Sequence, residues 1–179
     1  TLIVRGDAAA TANNIMASES LFRLSIVSAF LAAIVNIFVV LALYQLLKPV
    51  NKNMASLMVI FLLLAVPIGM LTELNELAVL LLLSGADYLK VFTSEQLHAL
   101  MYLFLRLSSQ GLLIAQIFWG LWLFPMGYLV FKSGFIPRIL GVLLIIGFFC
   151  YLIESFASFL LTSFKVNIIF ITSWCDMLF

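Results

Sequence analysis

Long apolar stretches alternate with short polar segments along most of the chain. The stretch FWGLWLFPMGYLVFKSGFIPRILGVLLIIG, residues 118–147, shows the pattern, because two apolar runs flank a short basic segment. A helix needs about 20 mostly apolar residues to cross a bilayer, so we interpret this stretch as a transmembrane helical hairpin. Repetition of the pattern predicts helices at about 21–47, 54–83, 96–131 and 138–161, with a further helix beginning at 166–179.

These elements predict an all-α fold, a polytopic transmembrane helical bundle with four full helices and the start of a fifth. Residues 1–20 form the one extended polar region. We expect them to be an extracytoplasmic segment with a short interfacial helix, for which Asp7 is a good N-cap. Residues 21–179 then form the transmembrane helical domain.

Composition places the chain in a membrane. It is 65% hydrophobic and 9% charged, whereas soluble domains carry about 25% charged residues. The net charge of +1 comes without a basic stripe, which argues against a nucleic-acid partner. Cys150 and Cys175 both lie in apolar runs, so we interpret them as small buried hydrophobic residues rather than a disulfide.

The basic residues suggest how the helices are threaded. Lysine and arginine are equally numerous on the two sides, so their number alone does not decide the orientation. The segments 48–52 and 132–138 are short and contain basic residues without an acid. We therefore place these two basic hinges in the cytoplasm, with residues 1–20 and the loop near 84–95 on the outer side.

Several polar residues fall inside the predicted helices. Ser25, Ser28 and Asn36 can share one face of the helix at 21–47, where we expect interhelical hydrogen bonds. The segment TELNEL places Glu73 and Glu76 three residues apart in an apolar run, so they share a helix face. Carboxylates at membrane depth are costly and mark a functional site by default.

A count of residues from the outer helix ends places five ionisable side chains at one level. At about 1.5 Å per residue, they lie about 10 to 15 Å below the outer edge. They could form one polar cluster, in which the acids outnumber the arginine and would need protons or a bound cation. In the alternative, the helices tilt, the site is wet, and each acid makes its own local hydrogen bond. The predicted cluster comprises Glu73, Glu76, Arg106, Glu154 and Asp176.

No catalytic motif accompanies these residues. The single histidine, His98, lies near a predicted helix start, and nothing has the spacing of a zinc site or a Ser/His/Asp arrangement. The sequence therefore predicts no catalytic residue, no metal ligand and no cofactor. An intramembrane enzyme acting on lipid would need a nucleophile or a metal set, so we do not favour enzymatic activity.

Three stretches carry a resemblance to a known family. RGDAAATANNIMASESLFR, LALYQLLKPVNKNMASL and FWGLWLFPMGYLVFKSGFIPRILGVLLIIGFFCYLIESF resemble the bacterial integral membrane family called domain of unknown function 4386. The resemblance implies six helices in the full protein, with the first before Thr1 and the last cut at Phe179. It also implies a prokaryotic cytoplasmic membrane. It assigns no activity.

Two functions remain in view. The favoured interpretation is binding or transport of a small molecule or ion, using the predicted carboxylate cluster. The alternative is an accessory membrane subunit that acts through helix–helix contacts. The expected partners are the lipid bilayer and a cation or small-molecule ligand. Another membrane protein or further copies of this chain would join them under the second interpretation.

Overall fold

A computed structural model describes residues 2–4 and 6–160, and the predicted helix at 166–179 lies outside the described residues. The all-α fold predicted from the sequence is confirmed. A single turn of 3₁₀ helix, Asp87–Leu89, lies between the third and fourth α-helices. The α-helices, in chain order, are α1 (Ala8–Ala17), α2 (Glu19–Leu47), α3 (Lys52–Leu83), α4 (Ser94–Ser133) and α5 (Arg138–Leu160).

Four helices of the described chain, α2 to α5, are long and apolar enough to cross a membrane. Many of their large apolar side chains are exposed, including Phe38 at 67% and Ile139 at 67%. A water-soluble surface rarely carries contiguous apolar patches of this kind, but a lipid-facing surface does. At about 1.5 Å per residue, α4 is about 60 Å long and extends well beyond a hydrocarbon core of about 30 Å.

Local sequence explains where the helices begin. The Asp7 carboxylate accepts a hydrogen bond from the Ala10 N–H at 2.8 Å and caps α1. Asn51 does the same for α3, accepting from the Met54 N–H at 3.1 Å. At α4, Thr93 and Gln96 bond reciprocally, with side chain to backbone distances of 2.9 and 3.3 Å. This is a capping box, and it satisfies N–H groups that have no partner within the helix.

The described residues form two compact units. Unit 1 comprises residues 2–4, 6–34 and 68–112, which include α1 and parts of α2, α3 and α4. Its buried core is apolar and includes Ile15, Phe22, Val79 and Met101. The Gly6 N–H donates to the Tyr102 hydroxyl at 3.0 Å, which ties the segment before α1 to α4.

Unit 2 comprises residues 35–67 and 113–160, with the other parts of α2, α3 and α4 and the whole of α5. Its core includes Val40, Met58 and Leu129. The helices α4 and α5 approach closely where Gly127 lies against Gly141. A Cβ added at Gly141 would lie 2.7 Å from the Gly127 carbonyl oxygen, so only glycine fits here without displacing backbone.

The serines of α2 differ from the expectation of interhelical bonding. Ser25 donates to the Phe22 carbonyl and Ser28 donates to the Ser25 carbonyl, each at 2.7 Å. Both hydroxyls are therefore satisfied within their own helix, a common alternative for serine in a transmembrane helix. The serine positions thus require no partner helix.

Candidate functional site

The two carboxylates of the TELNEL segment lie in the last third of α3, within unit 1. Glu73 and Glu76 are both partly buried. They are three residues apart and therefore project from neighbouring positions on one side of the helix. Their position inside a helix that can cross a membrane makes them the costliest side chains of this segment.

Glu76 has a direct partner on α4. The Ser108 hydroxyl donates to the Glu76 carboxylate oxygen Oε1 at 3.2 Å. Ser108 is only 8% exposed, so this hydrogen bond lies mostly within the interior of unit 1. A hydroxyl donor stabilises a carboxylate without adding charge, and it leaves the second carboxylate oxygen available for another ligand.

One turn away, close packing of α3 against α4 supports this contact. Thr72 is 4% exposed, and a Cβ added at Gly111 would lie 2.7 Å from the Thr72 γ-methyl carbon. The Thr72 hydroxyl donates to the carbonyls of Ile68 and Gly69 in its own helix, at 3.1 and 2.6 Å. Thr72 therefore presents its methyl group to α4, and Gly111 lets the helices come close enough for Ser108 to reach Glu76.

The two antiparallel helices are thus in register through paired positions, Thr72 with Gly111 and Glu76 with Ser108. The carboxylates are apparent from the sequence, but Ser108 was not part of the predicted site. A small polar residue three positions before a glycine at membrane depth is the signal that could have indicated it. Small residues and hydroxyls commonly mark helix contacts in membranes.

Arg106 is exposed on α4 and lies two residues before Ser108, which places it on a different side of that helix. Among the described residues, the ion pairs are Arg23 with Glu19 and Lys90 with Asp87, at 2.7 and 2.6 Å. Both pairs are local and exposed. The structure therefore brings Glu73, Glu76 and Ser108 into one place but does not pair Arg106 with either carboxylate.

The predicted cluster also included one residue of α5 and one residue beyond it. Glu154 is a partly buried residue of α5 in unit 2, and Asp176 lies outside the described residues. The five-residue cluster accordingly stays a prediction.

The chemistry open to the Glu73–Glu76 site follows from its ligands. Within the described chain, no group of three or more His, Cys, Asp or Glu side chains could hold a metal ion. Two carboxylates and a hydroxyl offer only oxygen atoms, which suit protons and hard cations rather than soft transition metals.

Four apolar spans with a polar site between two of them define a multi-pass membrane protein. The chain belongs to the family described as Domain of unknown function (DUF4386), which it matches over residues 1–176. It is 31% identical over 157 residues to an uncharacterized protein of Archaeoglobus fulgidus, covering 87% of this chain and 78% of that relative. No solved structure matches the chain.

Proposed function

We propose that the chain binds a proton or a small cation at Glu73 and Glu76 and transports it across the membrane. The observation that supports the proposal is the hydrogen bond from Ser108 to Glu76, which positions a carboxylate inside a membrane-spanning pair of helices. Ionisable residues at such depth commonly mark ion pathways and proton relays.

The charge balance of the site supports a positively charged ligand. Among the described residues, no lysine or arginine forms an ion pair with Glu73 or Glu76. Two neighbouring carboxylates in a partly buried site repel each other when both are ionised. A proton on one of them, or a cation between them, removes that repulsion.

The proposal includes a location and an orientation. We infer a prokaryotic cytoplasmic membrane, supported by the family resemblance and by an archaeal relative. The basic hinge residues Lys48, Lys52, Lys132 and Arg138 support cytoplasmic placement of the α2–α3 and α4–α5 connections. The Glu73–Glu76 site then lies in the outer half of the membrane.

A liposome experiment tests whether the site binds and carries protons. Full-length protein is reconstituted with an internal pH-sensitive dye, and a potassium diffusion potential drives protons inward. We expect proton uptake that falls to the rate of empty liposomes in Glu76→Gln and is reduced in Ser108→Ala. Glu95→Gln is the matched control, because Glu95 is an exposed residue of the first turn of α4.

Thermal unfolding tests whether the site binds a small cation instead of a proton. A ligand that binds only the folded state raises stability by about 2.7 kcal/mol at a hundredfold excess over its Kd. We expect sodium or potassium chloride, compared with choline chloride, to raise the Tm of the wild type but not of Glu76→Gln. If Glu76→Gln behaves like the wild type in both assays, the proposal fails. The result would then match an accessory subunit that acts through helix contacts.

A further inference from the structure

Unit 2 contains a cavity of about 360 Å³ whose walls come from α2, α3, α4 and α5. Its volume falls within the range of about 300 to 1,000 Å³ that is usual for small-molecule sites. The side chains that give it its chemistry are Asn36, Trp119, Trp122, Leu123, Leu144 and Tyr151.

Polarity changes along the cavity. The distance of a lining residue from the end of its helix at the basic hinge follows from a rise of about 1.5 Å per residue. This distance is about 17 to 21 Å for Asn36, Trp119 and Tyr151. Met126 and Leu144 lie only about 9 to 11 Å away on the same count. One end of the cavity is thus aromatic with polar groups, and the other is aliphatic. A ligand that fits both ends is itself amphipathic.

The amide of Asn36 favours a ligand that has a polar group. Asn36 is an exposed residue in the middle of α2, and it has no hydrogen-bond partner among the described residues. An unsatisfied amide inside the hydrocarbon region is costly. A ligand with a hydrogen-bonding group at the aromatic end would satisfy it.

Two more oxygen atoms without partners lie just beyond the aromatic end. A Cβ added at Gly120 would lie 3.0 Å from the Tyr151 Cβ, which fixes the antiparallel register of α4 and α5. One turn further along each helix, this register brings Gln116 opposite Ser155. Their side-chain oxygens are buried without a hydrogen-bond partner in the described structure, and Ser155 is 0% exposed. Buried polar atoms without a partner are rare in native proteins, and these two add polar groups to the interior next to the aromatic end.

The residues around the aromatic end of the cavity favour a positively charged group. Glu154 precedes Ser155 and lies one turn from Tyr151 on α5. None of the described residues that line the cavity is a lysine or an arginine. Aromatic faces attract cations through their quadrupole, most strongly for tryptophan. The aromatic end therefore suits a positive charge that carries hydrogen-bond donors.

We propose that this cavity binds a free amphipathic amine in its ammonium form. The ammonium group lies against Trp119 and Tyr151 at the aromatic end and donates to the side-chain oxygen of Asn36, while the apolar body lies along Leu123 and Leu144. The proposal rests on unit 2 alone and does not depend on the carboxylates of unit 1.

Equilibrium binding of radiolabelled phenethylammonium to the full-length protein tests the proposal. The protein is held in phosphatidylcholine nanodiscs, which contain no primary ammonium group of their own. We expect saturable binding at least tenfold tighter than that of phenethyl alcohol, the neutral analogue. Trimethyl(phenethyl)ammonium should bind more weakly than the primary ammonium, because it has no N–H donor for the acceptor oxygens.

Variants identify the site. Trp119→Leu should weaken phenethylammonium binding about tenfold, which corresponds to about 1.4 kcal/mol, while Trp119→Phe keeps part of the affinity. Phe38→Leu is the matched control, since Phe38 is a 67% exposed aromatic residue of α2. Glu95→Gln should leave binding unchanged, since Glu95 is an exposed residue of the first turn of α4.

The proposal is overturned by any of three results. The first is the absence of saturable binding, as expected if another segment fills the cavity. The second is equal affinity for the ammonium and the alcohol. The third is equal behaviour of Trp119→Leu and Phe38→Leu, provided both variants elute and unfold like the wild type.

Discussion

Replacement of Gly141 by alanine should separate α4 from α5. The added Cβ would lie 2.7 Å from the Gly127 carbonyl oxygen and 2.8 Å from the Phe131 backbone nitrogen. The shorter contact falls about 0.7 Å below the 3.4 Å at which ordinary van der Waals contact begins. Because all of its close neighbours are backbone atoms of α4, no side-chain rotation can relieve the clash.

The expected magnitude combines two opposing effects. Overpacking in a tight interior costs about 1 to 3 kcal/mol, while exchange of glycine for alanine within a helix gains about 1 kcal/mol. Gly69→Ala isolates the steric part, because Gly69 is also inside a helix but a Cβ there meets no described atom within 4 Å. The helical gain cancels in the comparison. Gly141→Ala should therefore be about 1 to 3 kcal/mol less stable than Gly69→Ala.

Equilibrium unfolding in mixed micelles with increasing SDS measures the difference. Both variants are compared with the wild type by circular dichroism and by tryptophan fluorescence, and coincident transitions justify a two-state treatment. Gly69→Ala should match or exceed the wild type in its free energy of unfolding. Equal stability of Gly141→Ala and Gly69→Ala would refute the close approach of α4 and α5.

Two further predictions follow from single contacts, and a third follows from the proposed orientation in the membrane. Asp7→Ala removes the N-cap of α1 and should cost about 1 kcal/mol, seen as faster amide hydrogen exchange in α1 alone. Gly111→Ala should cost less than Gly141→Ala in SDS unfolding, because its close neighbour is the Thr72 methyl group rather than backbone. In a background without native cysteines, impermeant maleimide should label Lys90→Cys in right-side-out vesicles and Lys52→Cys only in inverted ones; the reverse pattern would overturn the orientation.

The helices could be predicted from the sequence because two strong local signals agree. Apolar length determined where α2, α3, α4 and α5 run, and α4 begins at Ser94, two residues before the predicted start at about 96. Polar breaks marked the connections. These signals depend on neighbouring residues in the chain and need no knowledge of the tertiary packing.

The candidate site could be predicted only in part, because the partner of Glu76 is set by helix register. Glu73 and Glu76 were apparent as acids in an apolar run, but pairing with Ser108 requires α3 and α4 to meet at Thr72 and Gly111. Depth counting gives the level of a residue along the membrane normal. It does not give the direction in which the side chain projects, and Arg106 shows the consequence: it shares the level of Glu76 but lies exposed on another side of α4.

The same reasoning explains why the cavity of unit 2 was not predicted. Its walls combine Asn36 of α2 with Trp119 of α4 and Tyr151 of α5, which are far apart in sequence. Each residue alone resembles an ordinary member of a transmembrane helix. Only the packing of four helices reveals that they enclose one space.

The central claim is that the Glu73–Glu76 site binds a proton or a cation, and infrared difference spectroscopy tests it most directly. Spectra of the full-length protein in lipid are recorded between acidic and alkaline buffer and again with and without sodium or potassium. The account predicts a carboxyl signal that responds to proton or cation and is missing in Glu76→Gln, with Glu95→Gln retaining it. Identical difference spectra for the wild type and Glu76→Gln would contradict the claim and direct attention to partner proteins.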